Sequence, residues 1–221
     1  MEVMVGSETY SALGLYESGG RISGTPRVLL LLASVLERST QKNDRLLEGS
    51  RRKDVVTVFH GSRSPSLSIR QYIERVFKYT KCSTSCFVVA YIYVERFLRR
   101  MDACLTSLNV HRLLITSIML AAKFLDDECY NNAYYAKVGG VSTPEMNRME
   151  TKLLFNLDFR LQVTVEAFRS YCLKLERECG GEYRIERPIH VHGPKGVGRQ
   201  NRSDIQNAST FASFSQSQRA T

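Results

Sequence analysis

Hydrophobic positions along the chain fall into stretches of helical period divided by polar and glycine-rich breaks. The most apolar stretch runs from 109 to 128 and reads NVHRLLITSIMLAAKFLDDE. Apolar or small residues occupy every face of it between Leu113 and Leu125, the pattern of a helix enclosed by its neighbours rather than laid on a surface. Asn109 is placed to cap its first turn, and Ala121-Ala122 gives a strip where another helix can come close. Lys123 breaks the pattern. A lysine there either runs its stem along the core and lifts its ammonium to solvent, or meets a partner.

The other elements follow from the same periodicity. Residues 1–24 are rich in Ser and Gly and read as a disordered leader. Thr25-Pro26 opens an amphipathic helix to about Arg38, with Val28, Leu29, Leu32, Val35 and Leu36 on its apolar face. A polar linker then runs to residue 65, closing a segment 25–65. Its one apolar knot, Val55, Val56, Val58 and Phe59, is where it docks. Ser68 and Gln71 have capping-box spacing before a first box helix that ends near Lys81. Ser83 is positioned to cap the second, whose wide apolar face includes Cys86, Phe87, Val89, Ala90, Tyr93, Val94, Phe97 and Leu98. The central helix is third. Asn131-Asn132 can cap a short fourth that Gly139-Gly140 stops, and Ser142, Pro144 and Glu145 open a fifth reaching about Asn156. Helices joined by short loops with no period-two strand between them predict an all-α domain over 66–161. Thr164 caps a further helix within 162–179, which Gly180-Gly181 ends, and 180–221 reads as a disordered polar tail.

Composition narrows the function classes. The 221 residues are 43% hydrophobic and 24% charged, ordinary for one globular domain with extensions. The net charge of +9 admits nucleic acid, acidic protein or anionic membrane as partner, but the basic residues are scattered, and Arg51-Arg52-Lys53 and Arg99-Arg100 are too short for a nucleic-acid stripe. The apolar run from Val28 to Leu36 is too short to span a bilayer and lacks the basic flank of a secretion signal. The six dispersed cysteines read as free thiols of a reducing compartment, so the chain is expected in nucleus or cytoplasm and not secreted. Cys82 and Cys86 lie one turn apart without the second ligand pair that zinc needs. His190 and His192 could hold a metal only in a tail without fixed geometry. No nucleophile elbow, phosphate loop or metalloprotease motif occurs, so no catalytic residue and no cofactor is assigned. The acidic trio 126–128 at a helix C-terminus opposes the helix dipole, which suggests that it answers to something outside. Glu150, beside the apolar face of Met146, Met149, Leu153 and Leu157, has no good partner within its own helix. The residues thus describe a helical, non-enzymatic module with two charges, Lys123 and Glu150, set among core-type neighbours.

The segments YIYVERFL, LLITSIMLAAKFLDDE and MNRMETKLLFNLDFRL, in that order and spacing, resemble helices two, three and five of the cyclin box. The phrase IERVFKYTKCSTSCFVVAYIYVERF is similar to the P-type, or U-type, cyclins of plants, relatives of fungal phosphate-signalling cyclins. The likeness covers about Thr25 to Glu178. It implies an all-α fold, a five-helix cyclin box with one flanking helix at each end. It also implies a regulatory subunit in a heterodimer with a cyclin-dependent kinase of the PSTAIRE type, acting in cell-cycle or phosphate signalling, with no nucleic acid or membrane partner. By the same likeness Lys123 and Glu150 form the pair that bonds backbone groups near the kinase's mobile C-helix, and Phe124, Leu154, Phe159 and Leu161 supply apolar contacts. Glu95 matches the acidic residue of box helix two. The first box helix lacks the Met-Arg-Ala-Ile-Leu motif with which many cell-cycle cyclins hold substrates, no convincing RxxL destruction box occurs in the leader, and there is no room for a second box after Glu178.

Two alternatives stay open at this point: a cyclin-shaped scaffold that binds a kinase without activating it, and a transcription adaptor of the same fold. A regulatory site is also expected at Ser64-Pro65, where a phosphate would face Arg63 and Arg70.

Overall fold

The computed structural model describes residues 25–49 and 55–178, and among them it holds seven helices and no strand. These are α1 (Arg27–Gly49), α2 (Ile69–Thr80), α3 (Thr84–Met101), α4 (Val110–Leu125), α5 (Asn132–Gly139), α6 (Thr143–Asn156) and α7 (Val165–Glu178). The all-α expectation holds. The expected leader and polar tail, the histidine pair at 190 and 192, Cys179 and Gly180-Gly181 lie outside the described residues.

The enclosed apolar stretch is α4. Leu113, Leu114, Ile115, Ile118, Met119, Ala121 and Ala122 are all at most 1% exposed. α3 lies along it with Cys86, Phe87, Val88 and Ala90 buried, while α2, α5 and α6 cover its remaining sides. From α6, Met146 and Met149 reach Thr116 of α4 with their sulfurs. Gly139 lets the end of α5 come close. A Cβ there would sit 2.8 Å from Cγ1 of Ile115. α1 and α7 flank this group, both packing on α3 and on each other.

Local signals explain most boundaries. At α2 the Ser68 hydroxyl accepts from the Gln71 N–H at 3.1 Å and the Gln71 side chain accepts from the Ser68 N–H at 3.2 Å, closing the capping box. Lys81 ends the helix in left-handed backbone at φ +52°. Asn131 caps α5 by accepting from Tyr134 N–H at 3.0 Å, and Gly140, at φ +71°, terminates it. Thr164 caps α7 through Ala167 N–H. Two expected caps are not made. The Asn109 amide turns away from α4 to accept from Thr106 N–H at 2.9 Å and donate to Cys104 O at 2.8 Å. The Ser83 hydroxyl lies instead 3.2 Å from Cys86 Sγ. α1 also runs eleven residues beyond Arg38 into the expected linker (Gly49 against Arg38). Its extra turns are polar but held from outside: Asn43 donates to Leu105 O at 2.9 Å, and Asp44 accepts from Ser107 N–H at 3.2 Å.

The start of α6 gives a pH-dependent contribution. The Glu145 carboxylate accepts from the Ser142 N–H and hydroxyl at 3.0 and 2.7 Å and from Arg112 at 3.1 Å. The two Ser142 bonds first, then Arg112, hold its pKa down to about 2 against an ordinary 4.5. A carboxylate depressed on folding stabilises fully above its unfolded pKa and loses that contribution as pH falls through the folded one. Glu145→Gln is therefore expected to lower the thermal midpoint at neutral pH, with the gap to wild type narrowing only between pH 4.5 and about 2 in an acid series of melts. A gap that is flat across that window would remove Glu145 from the account.

Candidate functional site

Lys123 occupies the last turn of α4, where unsatisfied carbonyls favour a cation. Glu150 stands on α6, at the edge of the face made by Met146, Met149 and Leu153, which are fully buried. The packing of α6 on α4 brings the two together, with Lys123 Nζ donating to Glu150 Oε1 at 2.7 Å. The side chains are 32% and 16% exposed respectively. Neither charge is set in the core as its apolar neighbours suggested. The α4 stripe reaches the surface at this end, and the pair is satisfied within the chain while facing outward.

A third residue completes the arrangement. Asn132, first in α5, accepts from Lys123 Nζ through its Oδ1 and donates through Nδ2 to Glu150 Oε2 and to Asn147 Oδ1, both at 2.7 Å. Helix α6 thus carries Asn147 and Glu150 one turn apart, and Leu154 follows one turn later on the same face.

The apolar candidates divide. Phe124 is 50% exposed and Phe159 58%, whereas Leu154 and Leu161 are half-buried against the core. Phe159 adopts left-handed backbone at φ +55° directly after Asp158 at φ +54°, an unusual conformation for a bulky residue. Phe159 N–H bonds Leu154 O at 3.0 Å, Tyr93 OH donates to Leu161 O at 2.7 Å, and Arg96 donates to Arg160 O at 3.0 Å, so the turn is pinned from three sides. The Phe159 ring meets Phe155 edge-on with centroids 5.3 Å apart. Phe155 was not singled out from the sequence, yet it is 63% exposed. The run Leu153-Leu154-Phe155 is wider than one core-facing stripe needs, and that was its signal.

A scan against family models matches the chain to "Cyclin" over residues 27–161. The chain belongs to the cyclin family. It is 58% identical to Cyclin-P3-1 of Oryza sativa subsp. japonica over 189 residues, 84% of this chain and 80% of that relative. To Cyclin-U3-1 of Arabidopsis thaliana it is 51% identical over 187 residues, 84% of each chain, and to Cyclin-U1-1 of the same plant 49% over 158 residues, 71% of this chain and 75% of the relative. The likeness to plant P- and U-type cyclins and the all-helical box therefore stand. Membership assigns the chain a cyclin-type regulatory, non-catalytic role, with a cyclin-dependent kinase as the general class of partner.

Within this cyclin, two acidic features are internal. Glu95 accepts from Tyr171 OH at 2.9 Å and from Lys174 Nζ, tying α3 to α7. Burial alone would raise its pKa, but the Lys174, Tyr91 and Tyr171 contacts outweigh that and hold it below the ordinary range. Asp126, the first of the acidic trio, accepts from Ser83 N–H at 3.0 Å and lies 3.4 Å from Cys86 Sγ. Its partners within the chain thus lie at the α2–α3 junction. Cys82, Cys86, Cys104, Cys129 and Cys172 are free thiols. Ser64 is exposed, four residues before the Ser68 cap, with Arg63 also exposed and Arg70 bonded to Glu74 at 3.1 Å. No helix among the described residues is long and apolar enough to cross a membrane.

Proposed function

We propose that this cyclin forms a heterodimer with a cyclin-dependent kinase of the PSTAIRE type and holds the kinase C-helix in its active position. The observation that carries the reading is the outward-facing Lys123–Glu150 pair at 2.7 Å, beside exposed Phe124 and Phe159 and half-buried Leu154 and Leu161. Glu150 keeps free lone pairs for backbone N–H donors and Lys123 one N–H for a carbonyl. The four apolar residues supply the desolvated contact that gives such polar bonds their strength. A surface that binds only the inward C-helix shifts the kinase toward that state by its differential affinity, while the kinase itself performs phosphoryl transfer. The box is taken as 66–161, the site of action as nucleus or cytoplasm, and the input as cell-cycle or phosphate signalling. Ser64, exposed beside Arg63, is its candidate phosphosite.

The test is reconstitution of the full chain with a purified PSTAIRE-type kinase. Co-purification and a rise in phosphoryl transfer to a peptide substrate are expected. Binding without a rise would convert the reading to a scaffold, and no binding would return the adaptor. Mass spectrometry of the active complex finding Ser64 unmodified throughout would remove the phosphosite.

A further inference from the structure

Lysine and glutamate side chains are long and rotamer-rich, and ordering both at a surface is costly in entropy. In this cyclin a neutral amide does that ordering. The orientation of the Asn132 amide is dictated by chemistry. Its oxygen must face the ammonium, which only donates, and its nitrogen must face the carboxylate, which only accepts. With one nitrogen proton on Glu150 Oε2 and the other on Asn147 Oδ1, both at 2.7 Å, the amide has no donor left over. Lys123 spends one proton on Glu150 Oε1 and one on Asn132 Oδ1. Three elements, the end of α4, the start of α5 and the outer face of α6, are thus locked through one side chain.

The neighbouring asparagine shows that this is not a capping role. Asn131 supplies the α5 cap by accepting from Tyr134 N–H at 3.0 Å, which leaves the Asn132 side chain free for the pair. We infer that Asn132 is a positioning residue that pre-orders Lys123 and Glu150 for docking, with Asn147 as its support. This rests on the kinase-binding reading above. Pre-ordering raises affinity by removing an ordering cost that the complex would otherwise bear. The arrangement leaves one ammonium proton and the outer lone pairs of the carboxylate directed to a partner.

Isosteric and truncating variants separate this from a role in shape. Asn132→Ala removes all three bonds, and its affinity for the kinase is expected to fall about tenfold, as for loss of hydrogen bonds to charged groups. Asn132→Asp keeps the shape and the acceptor toward Lys123 but turns both donors into acceptors facing Glu150 and Asn147. It is expected to bind at least as poorly as the alanine variant, whereas a spacing role would survive it. Asn147→Ala is expected to lose about twofold, since it frees only one amide proton. The second readout needs no kinase. In full-length protein labelled with 15N-lysine, the Lys123 ammonium, assigned by its absence in Lys123→Arg, should give a slowly exchanging signal that broadens in Asn132→Ala.

Weakened binding together with the broadened signal supports the inference. Unchanged affinity and signal overturn it, and so does weakened binding with an unchanged signal, which would make Asn132 a direct contact. A wild type that binds no kinase sinks the functional reading, and the ammonium signal then decides the ordering role alone.

Discussion

Glu150→Ala is expected to abolish recovery of the cyclin-dependent kinase while leaving the cyclin folded. Glu150 is mostly buried at its side chain and accepts from both Lys123 and Asn132. Truncating one member of a hydrogen-bonded charged contact within an interface costs about 2–5 kcal/mol, roughly a 30- to 5,000-fold loss of affinity. Lys123→Ala should fall in the same range. The fold is expected to tolerate both at a moderate cost: with side chains 32% and 16% exposed the loss exceeds the about 0–1 kcal/mol of a fully exposed ion pair, but the group left behind remains within reach of water. The charge-swapped double variant, Lys123→Glu with Glu150→Lys, separates the two roles of the pair. It restores a local ion pair, but it presents an acceptor where the partner needs a donor and a donor where it needs an acceptor. Pull-down with a PSTAIRE-type kinase should recover neither the single variants nor the swap. Recovery of the swap at wild-type level would make the pair an internal strut and move the docking site elsewhere.

What was legible in the chain sorts by the range of the interactions. The Ser68–Gln71 and Ser142–Glu145 boxes and the Asn131 cap are made within four residues, so spacing alone announced them. The enclosed character of α4 was equally plain, because a helix apolar on every face has one stable environment. Asn109 and Ser83 have the right chemistry for caps, but Thr106 N–H and Cys104 O for the first, and Cys86 Sγ for the second, are local competitors that residue type and spacing do not distinguish from a cap. The polar half of α1 could not be told from linker, since its support comes from Leu105 and Ser107, more than sixty residues on. At the site, Lys123 and Glu150 were visible as charges out of place. Their mutual contact, and the amide of Asn132 that joins them, depend on how α4, α5 and α6 converge. An asparagine next to a capping asparagine carries no periodic signal of such a duty.

Phe59→Ala is expected to be among the most destabilising single changes in the chain, although it lies in a segment without helix. Of the apolar knot before α2, Val56 is 82% exposed while Phe59 is fully buried. Its ring meets Phe97 of α3 edge-on, with centroids 4.9 Å apart. The backbone around it is tied down as well. Gly61 N–H donates to Leu108 O at 2.8 Å, Arg112 reaches Val58 O at 3.4 Å, and the His60 ring joins Thr57 N–H to the Asn109 amide. With so many fixed neighbours the space left by the ring cannot collapse, so the cost should approach the upper part of the range of about 3–5 kcal/mol for Phe→Ala in a core. For a domain of this size that is roughly 6–20 °C in thermal midpoint. Val56→Ala, by contrast, should stay within about 0.5 kcal/mol of wild type. The anchor also borders the proposed docking face, because Val58 shares a shallow groove with Asn147 and Phe155 of α6. Loosening the segment should therefore speed amide exchange at 57–61 and along the groove before global unfolding. Parallel melts of the two variants would decide the matter, and equal midpoints would mean that Phe59 does not anchor the segment.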